Sequence, residues 1–136
     1  MKIKIIALFL LLITSISAYA QTAQPLEKLF LMADDDEGTF LGSFANKFSS
    51  ASIFNEFGNY GSRFSSTSIF NQFGKYGSEL SDYSPFNKLA NHPPFIVDRD
   101  GNIYGRLSIN IRIRGVTDDS HEIAMRLKAR WNILNK

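Results

Sequence analysis

The sequence predicts a small α+β protein in which short, irregular 16-residue turn repeats pack with a β-hairpin, a long antiparallel strand and a C-terminal helix. Three observations lead to this prediction. Residues 49–64 and 65–80 form a tandem repeat that is identical at 11 of 16 positions. Residues 95–113 carry a hairpin turn and then an alternating apolar pattern, and residues 118–135 carry a helical apolar stripe.

The N-terminal segment has the pattern of an export signal. Lys2 and Lys4 precede an apolar run over residues 5–13, and Ala18-Tyr19-Ala20 supplies small residues for cleavage after Ala20. The run is well short of the ~20 residues that span a membrane, which disfavours an anchor. We therefore expect residues 1–20 to be a bacterial signal peptide. Residues 21–136 are expected to be a single secreted or periplasmic domain without a membrane span.

The charge of the mature domain is balanced. Lys2 and Lys4 carry the whole formal net charge of +2, so residues 21–136 hold 13 basic and 13 acidic residues. This balance gives no reason to expect nucleic-acid binding. The chain has no cysteine, which excludes disulfides, thiolate metal sites and a thiol nucleophile.

Residues 25–37 predict a first helix that ends in an acidic turn. Pro25 suits a first helical turn. It is followed by an apolar stripe at Leu26, Leu29, Phe30 and Ala33. We expect the helix to span residues 25–34 and to end at the acidic run 34–37. Four adjacent acids can bind calcium, but the ligand spacing of a known calcium loop is missing, so a solvated turn is preferred.

Residues 38–92 are predicted to form the repeat array, with weaker copies before and after the two full units. Ser52 and Ser68 are placed to cap a single helical turn in each unit. Gly58 and Gly74 are placed to end that turn in a left-handed conformation. Each unit is too small to fold alone and needs its neighbours.

The repeated aromatic residues divide into a predicted core and predicted contacts. Phenylalanines at this regular spacing are expected to form an apolar spine. They are Phe54, Phe57, Phe70 and Phe73. The repeated asparagines either satisfy backbone groups of the next unit or, with the tyrosines, contact a partner protein or stack on sugar rings. These candidate contacts are Asn55, Asn71, Tyr60, Tyr76 and Tyr83.

Residues 93–115 are predicted to form the hairpin and the long strand. Asp100-Gly101 is a strong hairpin turn signal. A calcium loop starting at Asp98 is disfavoured because Ile109 stands where the closing carboxylate is required. Alternation over 103–113 predicts a half-buried strand, and its unpaired edge offers a route to a homodimer.

Residues 118–135 are predicted to form a closing helix. Asp119 and Glu122 have the spacing of a capping box. A stripe on this helix is expected to face the sheet, with Trp131 as a core anchor. Its members are Ile123, Leu127, Trp131 and Leu134.

The repeat resembles that of a group of uncharacterised bacterial secreted proteins. The resemblance covers residues 49–110 and rests on the pattern Ser-x-x-Asn-x-x-Gly-x-Tyr-Gly-Ser followed by Pro93-Pro94. The matching residues are Ser52, Asn55, Gly58, Tyr60, Gly61 and Ser62, their copies in the following unit, then Ser84 and Asn87. This resemblance implies neither an activity nor a site.

The sequence predicts no catalytic, cofactor-binding or metal-binding residue. The histidines, His92 and His121, belong to no nucleophile or metal motif. We therefore expect a non-catalytic structural or protein-interaction module. The alternative is a module that binds carbohydrate or cell wall through the repeat tyrosines, and a small hydrolase ranks third.

Overall fold

Four short strands, a turn array and one helix make up residues 24–136, which are the residues that the computed structural model describes. The strands are β1 (Phe30–Met32), β2 (Phe40–Ser43), β3 (Phe95–Val97) and β4 (Ile103–Arg106), and the helix is α1 (Asp118–Leu134). This architecture confirms the α+β class. The predicted signal segment lies outside the described residues. Within residues 24–136, no helix has the length and apolar character of a membrane span.

The sheet is antiparallel throughout and has the order β2-β1-β3-β4. The repeat array lies between β2 and β3 in sequence, so the chain leaves the sheet and returns to its centre. Leu31 of β1 lies opposite Ile96 of β3 and is completely buried. The sheet therefore supplies one wall of the apolar core.

The predicted first helix over residues 25–34 is wrong. A single 3₁₀ turn, Leu26–Lys28, is followed directly by β1. Leu29, Leu31 and Ala33 are the buried residues of this segment, and their spacing of two is that of a strand. Pairing with β2 and β3 on both sides has overridden the local helical pattern.

The hairpin between β3 and β4 is confirmed. Asp98 Oδ1 accepts hydrogen bonds from the backbone N–H groups of Asp100 at 2.9 Å and Asn102 at 3.0 Å. Its Oδ2 accepts from the side chains of Asn102 at 3.0 Å and Tyr104 at 2.8 Å. Gly101 takes φ 84°, the left-handed conformation that this turn requires. The aspartate thus closes the turn with protein donors.

The predicted long strand over 103–113 is also wrong, because β4 ends at Arg106. Ser108 Oγ accepts from the N–H of Asn110, and Asn110 Nδ2 donates to the carbonyl of Ala90. Such side-chain bonds compete with a strand ladder. The N–H of Arg106 donates to Gly115 at 2.8 Å. The long open edge expected for a homodimer therefore does not form.

The array is built from backbone turns that advance three residues at a time. The residues at these three-residue intervals are called step residues here. Each donates its N–H to the carbonyl of the previous one, as in Ser52 to Ser49, Asn55 to Ser52 and Gly58 to Asn55. One longer step, from Gly58 to Ser62, completes the repeat unit. The predicted helical turns are absent from the array, and Gly58 and Gly74 have ordinary φ values.

Serine and asparagine at the step positions explain this backbone. Ser52 Oγ accepts from the N–H of Phe54 at 3.0 Å, and Ser68 Oγ accepts from Phe70 at 3.1 Å. These residues favour such local bonds over helical ones. A spacing of three between them therefore specifies a ribbon of turns.

The array contributes the second wall of the core, and α1 covers both. Ile53, Ile69 and Pro85 occupy equivalent positions of successive units and are fully buried. The ring of Trp131 lies 6.3 Å from that of Phe86, and its Nε1 donates to Gly77 at 2.9 Å. The closing helix and its tryptophan anchor are confirmed.

The start of α1 differs from the prediction in one respect. Thr117 is the N-cap, and Thr117 and Ser120 form a reciprocal capping box. Asp119 and Glu122 do not form it. Ser120 is buried, and its hydroxyl oxygen accepts a hydrogen bond from the N–H of Thr117. The short serine side chain therefore takes the place of the Glu or Gln of the usual capping box.

Candidate functional site

Tyr76, one of the predicted contacts, faces the interior. Its side chain is 7% exposed, and its hydroxyl lies 2.5 Å from Asp35 Oδ2 and 3.1 Å from Thr39 Oγ1. Burial raises the pKa of Tyr76, and the hydrogen bond to Asp35 raises it further. Burial opposes ionisation of Asp35, but bonds from Tyr76, Thr39 and Lys75 outweigh it, so the pKa of Asp35 lies well below its usual range. Tyr76 therefore faces inward and not outward as predicted. In the acidic turn, which was expected to be solvated, the Asp35 side chain is buried whereas Asp36 and Glu37 are exposed.

Tyr60 and Tyr83 are half-buried and also have neighbours within the chain. The Tyr60 ring packs edge-on against Phe40 with centroids 4.9 Å apart. Tyr83 stacks on His92 at 5.7 Å, with Lys75 Nζ 4.5 Å from its centroid. Each of the two tyrosines thus packs against other side chains of this chain.

Asn55 and Asn71 use both ends of their amides within the array. Asn55 Oδ1 accepts from the N–H of Phe57 at 3.1 Å, and its Nδ2 donates to Ser49 at 3.2 Å. Asn71 makes the equivalent bonds at 3.1 Å each. These contacts support the structural interpretation of the repeated asparagines. A ligand contact by the asparagines and tyrosines stays a prediction.

His92 lies in a cluster of charged side chains between the sheet and the end of the array. Its Nδ1 lies 3.1 Å from Asp34 Oδ2, and its Nε2 lies 3.7 Å from Asp82 Oδ2. Arg106 also pairs with Asp34. Because both imidazole nitrogens face carboxylates, neither is directed at a serine or threonine hydroxyl that it could activate. Among residues 24–136, no group of histidines and carboxylates has the arrangement of a metal site.

Six large apolar side chains project from the array into solvent, and we call them the apolar ridge. They form two series whose members recur every 16 residues, and each residue is 75% to 100% exposed. The first series is Phe48, Phe64 and Leu80, and the second is Phe57, Phe73 and Leu89. Members that follow one another along the chain form three ridge pairs: Phe48 with Phe57, Phe64 with Phe73, and Leu80 with Leu89.

The backbone of every ridge residue is fixed by a side chain two positions earlier. Asn46 Oδ1 accepts from the N–H of Phe48 at 3.0 Å, and Ser62 Oγ accepts from Phe64 at 3.1 Å. Ser78 Oγ accepts from Leu80 at 3.1 Å. In the second series the acceptors are Asn55, Asn71 and Asn87. The exposed side chains thus stand on turns that their own sequence holds in place.

The ridge corrects the predicted spine of phenylalanines. Phe70 is buried and Phe54 is half-buried, as expected, but Phe57 is 100% exposed and Phe73 is 89% exposed. Sequence reasoning missed this split because it treated the segment as one helical turn. The spacing of three between the serines and asparagines was the signal that could have revealed it.

In the first two ridge pairs the two members flank equivalent grooves, and a residue of α1 or its C-cap lines each groove. The groove between Phe48 and Phe57 has a volume of about 630 Å³, and that between Phe64 and Phe73 has about 390 Å³. In the first groove, Arg130 Nη2 donates to the Phe54 carbonyl at 3.3 Å. The second has the same feature in the next unit, where Asn135 Nδ2 donates to Phe70 at 2.9 Å.

The residues that precede the ridge side chains carry an ordered pattern of charge. They are Lys47, Arg63 and Glu79 in the first series and Glu56, Gln72 and Lys88 in the second. At the N-terminal end of the ridge the basic residue belongs to the first series and the acidic residue to the second, Lys47 and Glu56. At the C-terminal end this is reversed, with Glu79 in the first series and Lys88 in the second. Glu56 pairs with Arg130 at 3.3 Å and Glu79 pairs with Lys128, both on α1. Among the described residues, Lys47 and Lys88 have no carboxylate partner.

Comparison with known proteins adds no relative. No family model matches the chain, and neither the curated proteins nor the solved structures contain a significant match.

Proposed function

We propose that this protein is an exported, non-catalytic protein-interaction module that binds its partner through the apolar ridge. The exposure of six large apolar side chains at equivalent positions of the repeat carries this proposal. Contiguous apolar patches on a soluble protein mark interaction sites. Four of the six residues are phenylalanines, a residue type enriched in the buried centres of protein interfaces.

The hydrogen bonding beneath the ridge supports a binding role. Binding loses affinity when side chains and loops must be ordered at the interface. Here the N–H of Phe57 is held by Asn55 and that of Phe73 by Asn71, each at 3.1 Å. The backbone under both rings is thus already in place before a partner arrives.

The ridge fits a protein better than a polysaccharide. Sugar rings are bound by aromatic faces together with hydrogen-bonding groups placed around them. Two ridge positions are leucines, Leu80 and Leu89, which offer no aromatic face. The repeat asparagines have their amides engaged within the chain. We therefore propose a protein partner, and the crosslinking test described below also detects carbohydrate adducts.

Export is part of the proposal and rests on the signal pattern in residues 1–20. A secreted or periplasmic location is proposed on the same ground. The charge balance of residues 21–136 suits contact through apolar surface with local charge pairing better than binding to a polyanion.

Site-specific photo-crosslinking in producing cells tests the proposed function. A photoreactive phenylalanine analogue replaces Phe57 or Phe73 in the full chain, and Ile103 serves as the matched control. Ile103 is apolar and 62% exposed, but it lies on β4 rather than on the ridge. We expect adducts of discrete protein mass from both ridge positions and none from Ile103.

Three results would contradict the proposal. They are the absence of any protein adduct at both ridge positions, adducts only to glycan or lipid, and protein adducts at Ile103 alone. The last result would move the interface to the edge of the sheet.

A further inference from the structure

We infer that the partner of the apolar ridge is a second copy of this chain, bound ridge against ridge about a two-fold axis. This inference rests on the proposed protein-binding function and identifies its partner. A two-fold interface requires a surface that is complementary to itself. Both the apolar positions and the charges of the ridge meet this requirement.

The apolar positions match when the two arrays run in opposite directions. The middle ridge pair of each copy then lies at the axis, so that Phe64 faces Phe64 and Phe73 faces Phe73. Toward the ends, Phe48 of one copy faces Leu80 of the other. Every large apolar side chain of the ridge thus has an apolar counterpart, and each outer pair combines a phenylalanine with a smaller leucine.

The charges match in the same arrangement. Lys47 at one end of the first series lies opposite Glu79 at its other end, and Glu56 of the second series lies opposite Lys88. All four outer contacts between the copies are therefore between opposite charges. Opposite charges across an interface select the partner and its orientation.

Arg63, which lies beside the two-fold axis, does not place a like-charge contact there. Arg63 would face its own copy, but its Nη1 donates to the Leu134 carbonyl at 2.8 Å. The guanidinium is thus held against α1 of its own chain. The uncharged Gln72 precedes Phe73, the ridge residue that meets its own copy in the other series.

The lysines at the ends of the ridge lack the carboxylate partners that a second copy would supply. Lys47 and Lys88 have no carboxylate partner among the described residues. Glu56 and Glu79 each have a single basic partner and remain about half exposed, at 54% and 52%. Each glutamate can therefore accept a lysine from the other copy without giving up its own.

The available area is also that of a stable dimer. A phenylalanine buries at least ~150 Å² when it is covered. Four of them with two leucines reach roughly the ~800 Å² per partner that a standard protein interface requires.

Sedimentation of purified protein tests the inference through a charge swap. One double variant carries Lys47→Glu and Lys88→Glu, and the other carries Glu56→Lys and Glu79→Lys. Alone, each variant places like charges at all four outer contacts, so we expect the dimer to weaken at least about tenfold. Mixed in equal amounts, the variants restore opposite charges, and we expect them to form a mixed dimer.

The controls separate dimerisation from folding. A variant with Arg112→Glu and Arg114→Glu makes the same change in net charge as the lysine variant, on exposed residues that are not part of the ridge. It should sediment as the wild type does. Circular dichroism and thermal unfolding of each variant check that the monomer is intact.

Each outcome decides the inference. A wild-type dimer that both charge variants weaken and their mixture restores supports it. A wild-type monomer overturns it, as does a dimer that the charge variants leave unchanged. If the wild type is a monomer but the crosslinks at Phe57 and Phe73 carry a different protein, the proposed function stands and only the identity of the partner falls. If it is a monomer that binds vesicles or glycans and gives no protein adduct, both fall.

Discussion

The hydroxyl of Tyr76 lies 2.5 Å from Oδ2 of Asp35, across 41 residues of sequence. Asp35 belongs to the turn between β1 and β2, and Tyr76 belongs to the second full unit of the array. Thr39 N donates to the other carboxylate oxygen at 3.2 Å. Tyr76 therefore joins the array to the turn between β1 and β2, which explains its burial without a ligand.

Replacing Tyr76 with phenylalanine should destabilise the protein. The change removes a hydrogen bond to a buried carboxylate, and such bonds contribute about 1.5–3 kcal/mol. We expect the urea midpoint to fall accordingly. Tyr83→Phe is the control because among the described residues its hydroxyl makes no hydrogen bond. Equal midpoints for the two variants would contradict the assigned role of Tyr76.

Replacing Gly77 with alanine should be among the most damaging single changes in the array. A Cβ at Gly77 would lie 2.6 Å from the Ile69 carbonyl oxygen, well inside contact distance and against backbone. At Gly74 the nearest atoms belong to the Asn71 side chain, at 3.2 Å. We expect Gly77→Ala to lower the free energy of unfolding by several times the effect of Gly74→Ala in urea unfolding. Similar effects at both positions would contradict the close approach of Gly77 to the backbone of Ile69.

Replacing Asn71 with alanine should lower stability, because both ends of its amide are used inside the array. Loss of two such bonds costs on the order of 1–2 kcal/mol. Asn59→Ala is the matched control, since the Asn59 side chain is exposed and differs between the repeat copies. If Asn71→Ala unfolds like the wild type in urea, the side-chain ladder does not hold the array.

Acid should weaken the contribution of Asp98 to stability over a defined range. The side-chain hydrogen bond from Asn102, followed by that from Tyr104, lowers the pKa of Asp98 from 3.8 to about 2. A lowered folded-state pKa stabilises the protein above pH 3.8, and this contribution is lost as the pH falls toward about 2.

The comparison that isolates this effect is wild type against Asp98→Asn, by urea unfolding at a series of pH values. The wild type should be the more stable at neutral pH, and the difference should shrink from pH 3.8 downward. Asp35 titrates in both proteins and cancels from the difference. A difference that is independent of pH would show that the Asp98 charge does not stabilise the turn.

The sequence was informative where one local signal dominated. The hairpin at Asp100-Gly101 and the closing helix with Trp131 formed as predicted, because turn chemistry and a long amphipathic stripe have few competitors. The strand predicted over 103–113 ends at Arg106, because the side chains of Ser108 and Asn110 form hydrogen bonds with backbone groups in place of a strand ladder. Alternation alone does not show whether a partner strand exists.

The first helix and the orientation of the phenylalanines depended on information from distant residues. β1 is a strand because β2 and β3 flank it, and β3 follows only after the whole array. Phe57 and Phe70 belong to the same kind of repeat but point in opposite directions, outward and inward. The candidate site therefore required the three-residue turn geometry, which a search for helical periods does not reveal.

The size of the complex that contains this protein in producing cells tests the proposed role of the ridge most directly. Native electrophoresis compares the wild type with the variant Phe57→Ser, Phe73→Ser. A second variant, Ile103→Ser with Ile111→Ser, removes two exposed apolar side chains that are not part of the ridge. We expect the wild type and the second variant to run in a complex larger than the monomer and the ridge variant to run as a folded monomer. A ridge variant that stays in the complex, or a wild type that runs as a monomer, would contradict the ridge as a protein-binding surface.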